Sequence, residues 1–198
     1  MTSANFEKAL VALSNRKFFK NISISRGIER EALRSNLNGV ISKTPHPKSL
    51  GSALTNPFIT TDFAEALIEM VTPTFDTVEG LHSFLENLDF FVKENLNDEI
   101  LWNASMPCEL GDEKQIQIAE YGVSNTGRLK NIYRRGLRER YGSAMQCVSG
   151  IHYNFSLSKK SWQDFLNQNE SNQAEIDKAY FGLIRNVKRN YWLIAYLF

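Results

Sequence analysis

Two-residue alternation of apolar and polar side chains distinguishes the segment Gln146–Ser156. The apolar side carries Cys147, Ile151, Tyr153 and Phe155, with Ser149 as its one polar member; the other side carries Gln146, Gly150, His152, Asn154 and Ser156. Side chains that alternate in this way lie on opposite faces of a β-strand, so the segment predicts an antiparallel strand with one polar face. A His-x-Asn pair between Gln and Ser is more typical of a site lining than of a solvated face. The segment is therefore predicted to form the floor of a polar cleft.

Composition and charge place the chain among ordinary globular proteins, with 42% hydrophobic residues, 23% charged residues and a net charge of +1. This balance gives no overall preference for nucleic acid or for an anionic membrane, so we predict neither as a partner. Cys108 and Cys147 lie far apart and outside any Cys-x-x-Cys motif, which argues against a disulfide framework or a zinc ribbon. A reducing, cytoplasmic location is favoured.

The last segment predicts a helix that begins with a capping pair, Asn172 and Glu175, and carries an apolar stripe to Phe198. From Tyr191 onward the helix is apolar on all sides, yet this part is far shorter than the roughly 20 residues that cross a bilayer. Burial against further protein is expected. The chain is therefore predicted to be the N-terminal piece of a longer one.

Acidic side chains recur in two places that could bind a cation. Asp62, Glu65 and Glu69 are spaced i, i+3, i+7 in a segment predicted to be helical over about 62–72, which would align three oxygen ligands suited to Mg²⁺. For an isolated stripe, a solvated acidic face is the favoured alternative. Glu29 and Glu31 share one face of a strand predicted over 22–35, where they could bind a cation or form cross-strand salt bridges.

Two further features concern basic and imidazole side chains. A basic helix is predicted over about 126–141, following another helix over about 77–95. Its arginines, Arg134 among them, could hold anionic substrates or phosphates; a nucleic-acid surface is the weaker alternative. His152 taken alone is more often a hydrogen-bonded structural residue than a metal ligand.

Taken together, seven segments in order along the chain resemble the glutamate-cysteine ligase (gamma-glutamylcysteine synthetase) family of the proteobacterial type. They are RGIERE (Arg26–Glu31), HPKSLGSALT (His46–Thr55), ITTDFAEALIE (Ile59–Glu69), SMPC (Ser105–Cys108), YGVSNTGR (Tyr121–Arg128), YRRGL (Tyr133–Leu137) and QCVSGIHYNFS (Gln146–Ser156). The resemblance implies an α+β fold with a glutamine-synthetase-like core, in which an antiparallel sheet and flanking helices remain incomplete at the C-terminus. Residues 1–198 would be the N-terminal portion of a single catalytic domain.

The resemblance also implies an activity: ATP-dependent ligation of L-cysteine to the γ-carboxylate of L-glutamate through γ-glutamyl phosphate, the first step of glutathione biosynthesis. ATP and Mg²⁺, or Mn²⁺ in its place, would be the cofactors. The alternatives are a non-catalytic metal- or nucleotide-binding remnant and a related ligase that joins glutamate to another amine. This fragment by itself is expected to be inactive, since further site residues would lie beyond position 198.

Residue roles follow from the positions that match the family motifs. Those implied to bind metal and nucleotide phosphates are Glu29, Asp62, Glu69 and His152, with Asn154 beside them. Those implied to line the cysteine pocket are Tyr133, Leu137 and Gln146. Arg134 adjoins that pocket and is the candidate for a catalytic contact to an anionic substrate or phosphoryl group.

Overall fold

The computed structural model describes residues 7, 11, 22–166 and 172–197. The chain divides into two compact units, one formed by Arg26–Phe155 and the other by Met1–Ser25 together with Ser156–Phe198. The first unit contains most of the sheet and all the residues of the candidate site.

Five strands form the sheet of the described chain. They are β1 (Ile24–Asn36), β2 (Ile59–Thr61), β3 (Leu67–Val71), β4 (Glu99–Trp102) and β5 (Ile151–Leu157). The order is β2-β3-β1-β4, with β5 also paired to β1. The pairs β1–β3, β1–β4 and β2–β3 are antiparallel. Because β1 has 13 residues, one of its edges has room for both β4 and β5.

Two helices flank the sheet in this unit, α1 (Val78–Glu94) and α2 (Asn125–Tyr141). Each has a side-chain cap at its N-terminus: the Thr77 hydroxyl accepts from the Gly80 amide at 3.2 Å, and the Ser124 hydroxyl accepts from the Gly127 amide at 3.1 Å. Such caps satisfy amides that have no partner within the helix. Both helices agree with the predicted ranges, and the α+β fold with an antiparallel sheet and flanking helices is confirmed.

The core lies on both faces of the sheet, as alternation along the strands requires. On one face Ala32, Ile68 and Met70 pack with Val92 of α1. On the other face Leu33 and Leu67 pack with Phe63, Cys108 and Cys147 in a second cluster. Every one of these side chains is buried.

Two predicted elements differ from the structure. The predicted helix over 62–72 is wrong, because β2 ends at Thr61 and β3 begins at Leu67, with a tight turn between them. The strand predicted over Gln146–Ser156 begins only at Ile151, since Met145–Cys147 form a 3-10 turn. Of its supposed apolar side, Cys147 is buried, whereas Ile151, Tyr153 and Phe155 in the strand itself are exposed.

The second unit contains α3 (Lys159–Leu166) and α4 (Gln173–Leu197). The predicted capping pair is confirmed: Asn172 Oδ1 accepts from the Glu175 amide at 3.0 Å, and Glu175 Oε2 accepts from the Asn172 amide at 3.2 Å. The aromatic side chains near the end of α4 are exposed in this structure, Trp192 and Tyr196 among them, and Phe198 lies outside the described residues. Within the described chain, no helix has the length and apolar character needed to span a membrane.

Candidate active site on the acidic face of the sheet

Four carboxylates gather on one face of the sheet, which we call the acidic face: Glu29, Glu31, Asp62 and Glu69. Glu29 and Glu31 are two residues apart on β1 and so point to the same side. Glu69 of β3 is the direct cross-strand partner of Glu31. Asp62 immediately follows β2, whose Thr60 pairs with Glu69. Strand pairing therefore assembles residues that are far apart in the sequence.

The electrostatics of the acidic face show mutual repulsion. Burial, together with the charges of Asp62, Glu29 and Glu31, raises the pKa of Glu69 to about 7, with only His152 opposing the shift. Burial also raises the pKa of Glu31, against a hydrogen bond that its Oε2 accepts from the Gly150 amide at 2.8 Å. Both shifts mean that negative charge is disfavoured here unless a cation compensates for it.

Basic side chains of the described chain do not supply that compensation. No lysine or arginine in the described ranges forms an ion pair with any of the four carboxylates. The opposite face of β1 differs, since Arg30 pairs with Asp89 and Arg34 pairs with Glu99 at 2.7 Å. The cross-strand pairing with arginine that was the alternative for Glu29 and Glu31 is therefore not formed, and the one cross-strand contact of this kind joins Glu29 to His152 at 3.2 Å, which is ionic only if the imidazole is protonated.

His152 and Asn154 of β5 lie beside Glu29. His152 Nδ1 is 3.2 Å from Glu29 Oε2, and Asn154 Nδ2 donates to Glu29 Oε1 at 2.9 Å. Both oxygens of Glu29 thus contact the polar side of β5, which joins the predicted His-x-Asn pair to the acidic face. His152 remains largely exposed, so a ligand can reach its imidazole.

Arg134 connects α2 to the same region through the main chain of Asp62. Its Nε donates to the Asp62 carbonyl oxygen, and its guanidinium lies 4.7 Å from the centre of the Tyr121 ring. Tyr121 is buried, and its hydroxyl donates to the Thr61 carbonyl oxygen at 2.6 Å. A cation stacked on an aromatic ring and fixed by a carbonyl has a defined orientation, so Arg134 is positioned next to the acidic face.

Glu65 does not belong to the acidic face. Its Oε1 accepts from the His46 amide and its Oε2 from the Glu120 amide, each at 2.8 Å, and the side chain is buried. The predicted stripe of Asp62, Glu65 and Glu69 therefore does not exist. Asp62 and Glu69 remain neighbours only because the β2–β3 hairpin brings them together.

The residues assigned to a cysteine pocket lie on and against α2. Tyr133 is 60% exposed, whereas Leu137 is partly buried against the core. Gln146 lies in the 3-10 turn Met145–Cys147, which contacts α2. Tyr133 and Leu137 thus lie one turn apart on the predicted helix, and Gln146 lies on a turn that contacts this helix rather than on the predicted strand.

Glu31 is a candidate site residue that was not among the residues predicted to bind metal or nucleotide. Its place in the sequence beside Glu29 was a signal, but only the pairing with Glu69 shows that it completes the acidic face. The carboxylate chemistry of this face suits a hard cation. In the described residues, however, no three His, Cys, Asp or Glu side chains converge closely enough to hold a metal ion.

The chain is similar in sequence to proteins of one known family. The glutamate-cysteine ligase family model matches residues 8–198. The glutamate-cysteine ligase of Saccharophagus degradans is 50% identical over 179 residues, which cover 88% of this chain and 34% of that protein. The chain thus spans about a third of the length of this curated relative.

Two solved structures are similar to the chain. The glutamate-cysteine ligase of Francisella tularensis in complex with AMP is 41% identical, with a TM-score of 0.81, over 87% of this chain and 34% of that one. A bifunctional glutathione synthetase from Pasteurella multocida is 32% identical, with a TM-score of 0.82, over 95% of this chain and 25% of that one. With its seven motifs, its antiparallel sheet and a family match over nearly its whole length, the chain belongs to the glutamate-cysteine ligase family.

Proposed function

We propose that the protein carrying this chain joins L-cysteine to the γ-carboxylate of L-glutamate in an ATP-dependent reaction, the first step of glutathione biosynthesis. The observation that carries the proposal is the acidic face, where burial together with the charges of Asp62, Glu29 and Glu31 raises the pKa of Glu69 to about 7. Such a face suits the cations that accompany nucleotide phosphates. The AMP complex of the Francisella tularensis relative supports nucleotide binding.

Mg²⁺, or Mn²⁺ in its place, would be held by Glu29, Asp62, Glu69 and His152, with Asn154 beside them. A bound cation would relieve the repulsion that raises the pKa of Glu69. The chemistry it supplies is neutralisation of charge on the phosphoryl group during transfer.

The chain's own residues would bind and orient the substrates. A carboxylate is a poor electrophile, so the γ-carboxylate oxygen of glutamate first takes the γ-phosphoryl group of ATP to give γ-glutamyl phosphate and ADP. The cysteine nitrogen then attacks the carbonyl carbon, and phosphate leaves. Arg134, held against Asp62 and Tyr121, would contact the anionic substrate or phosphoryl group. Tyr133, Leu137 and Gln146 would contact cysteine.

The test is ADP release by the full-length protein with ATP, Mg²⁺, glutamate and cysteine. We expect release to require both amino acids together, and the Glu69→Gln and His152→Ala variants to lose about 100-fold or more in turnover. Glu94→Gln is the matched control, because Glu94 is an exposed carboxylate on α1 that lies away from the acidic face. Turnover that Glu69→Gln and His152→Ala leave at the control level would remove the site assignment.

The same assay separates the alternatives. If another amine supports ADP release better than cysteine does, the protein is the related ligase. If ATP binds but no amino acid elicits ADP, the protein is a non-catalytic remnant. We also propose a cytoplasmic location, because Cys108 and Cys147 are both free and buried; intact protein found only in a secreted fraction would contradict this.

A further inference from the structure

A cavity of about 620 Å³ lies between α2 and the segment 114–120, within the unit Arg26–Phe155. Its size falls in the range of about 300–1,000 Å³ that small-molecule sites occupy. Charged and amide side chains dominate its wall. The charged members are Glu65, Lys114, Glu120, Arg135 and Arg138.

The acidic members of this wall already have hydrogen-bond donors from the protein. Each oxygen of Glu65 accepts from a backbone amide, those of His46 and Glu120. Glu120 Oε1 accepts from Asn131 Nδ2 at 3.2 Å. Neutral amide groups therefore hold both carboxylates on the wall, and within the described chain neither carboxylate forms an ion pair with the basic residues beside it.

The basic members are not satisfied in this way. Neither Lys114 nor Arg135 forms an ion pair with any residue that the structure describes. Arg138 has one ion pair, at 3.9 Å, with Glu139, whose side chain is 79% exposed. Three cationic groups on two elements thus face a concave space with few partners of their own.

The cavity is separate from the candidate active site. Asn131, Arg135 and Arg138 are spaced i, i+4, i+7 and so share one side of α2. Tyr133 and Leu137, the residues assigned to cysteine, lie on the other side of the same helix.

We propose that this cavity binds a small anion that carries carboxylate or phosphate groups. The guanidinium groups of Arg135 and Arg138 offer planar pairs of donors that match such oxygens, and Lys114 adds a third cationic group to the lining from the segment 114–120. Asn131 fixes the carboxylate of Glu120 on the wall. The proposal does not rest on the proposed function, because it uses neither the acidic face nor the residues assigned to the substrates.

The test measures binding of inorganic phosphate and, separately, of succinate to the full-length protein by isothermal titration calorimetry at low salt. We expect Arg135→Gln and Lys114→Gln each to raise the dissociation constant of the preferred anion by about tenfold or more. Arg140→Gln is the matched control, because Arg140 is an exposed arginine on the opposite side of α2 and the change in net charge is the same.

The outcomes are distinct. Tenfold weakening in the two cavity variants with the control unchanged supports the site, and the tighter of the two probes identifies its ligand class as phosphate or carboxylate. Equal affinities in all three variants, or equal weakening in all three, would overturn it, because the anion would then respond to net charge or bind elsewhere. No detectable binding of either probe to the unmodified protein would overturn it as well. Turnover lost on Glu69→Gln while cavity binding persists would show that the two sites are independent.

Discussion

Replacing Glu69 by Gln should stabilise the protein at alkaline pH while it lowers activity. Folding raises the pKa of this carboxyl from 4.5 to about 7 through burial and the charges of Asp62, Glu29 and Glu31. Because the folded-state pKa is the higher one, the stabilising contribution of this group is complete below about pH 4.5 and is lost as the pH rises to about 7. The wild-type protein therefore carries an electrostatic penalty above pH 7 that glutamine does not.

The size of the penalty follows from the shift. Each pKa unit corresponds to about 1.4 kcal/mol, so the full shift from 4.5 to about 7 gives an upper bound of about 3.5 kcal/mol. Glu69 is only partly buried, so solvent screening reduces this to about 1–2 kcal/mol. Glutamine has nearly the same shape as protonated glutamate, so the gain should be small at pH 5 and complete at pH 8.

The assay is urea unfolding of the full-length protein at pH 5 and pH 8, with EDTA and without nucleotide. Glu69→Gln should raise the apparent free energy of unfolding at pH 8 by about 1–2 kcal/mol, and by less than about 0.5 kcal/mol at pH 5. Glu94→Gln on α1 should change neither value by more than about 0.5 kcal/mol. A Glu69→Gln effect of the same size at both pH values, or destabilisation at pH 8, would refute the repulsion on the acidic face.

Three further substitutions test how the site is held. Arg34→Met should lower the free energy of unfolding by about 3–5 kcal/mol in urea, because it leaves Glu99 without the buried guanidinium 2.7 Å away; a loss below about 1 kcal/mol would contradict this. Gly127→Ala should cost about 1–3 kcal/mol in the same assay, since its Cβ would lie 2.4 Å from the Tyr121 carbonyl oxygen. Gly136→Ala is its control, because the nearest atom there is 3.7 Å away at the end of a flexible arginine. Tyr121→Phe should cost about 1–2 kcal/mol, because the Thr61 carbonyl loses its donor at 2.6 Å; unchanged stability would show that the hydroxyl is dispensable.

Regular patterns with strong local signals were predictable from the sequence. The strand over 22–35 and the helices over 77–95 and 126–141 appear close to their expected ranges, and the capping pair of Asn172 and Glu175 forms as predicted. In each case the pattern of one segment determines the element. The alternation along β1 also predicted correctly that Glu29 and Glu31 lie on one face and Arg30 and Arg34 on the other, because strand geometry alone places successive side chains on opposite faces.

The errors arose where tertiary pairing overrides a local pattern. Residues 62–72 carry a helical spacing of carboxylates, yet Leu67–Val71 pair with β1 on one side and β2 on the other. Two antiparallel neighbours supply backbone hydrogen bonds and buried apolar contacts that a single segment cannot reveal. This pairing separates Glu65 from Asp62 and places Glu69 opposite Glu31. The acidic face is thus a product of register, which no spacing within a single segment encodes.

The two faces of β1 carry opposite charges and differ in how those charges are compensated. Arg30 and Arg34 alternate with Glu29 and Glu31, so the same strand presents positive charge to one side and negative charge to the other. The basic side is neutralised by Asp89 and Glu99. The acidic side meets two more carboxylates instead, and burial together with the neighbouring negative charges raises the pKa of Glu69. The fold thus provides counter-ions on one side and places like charges together on the other, an arrangement that supports the cation proposed for the acidic face. If a cation binds there, Mg²⁺ at pH 8 should stabilise the wild-type protein more than Glu69→Gln, and equal stabilisation of the two would oppose the proposal.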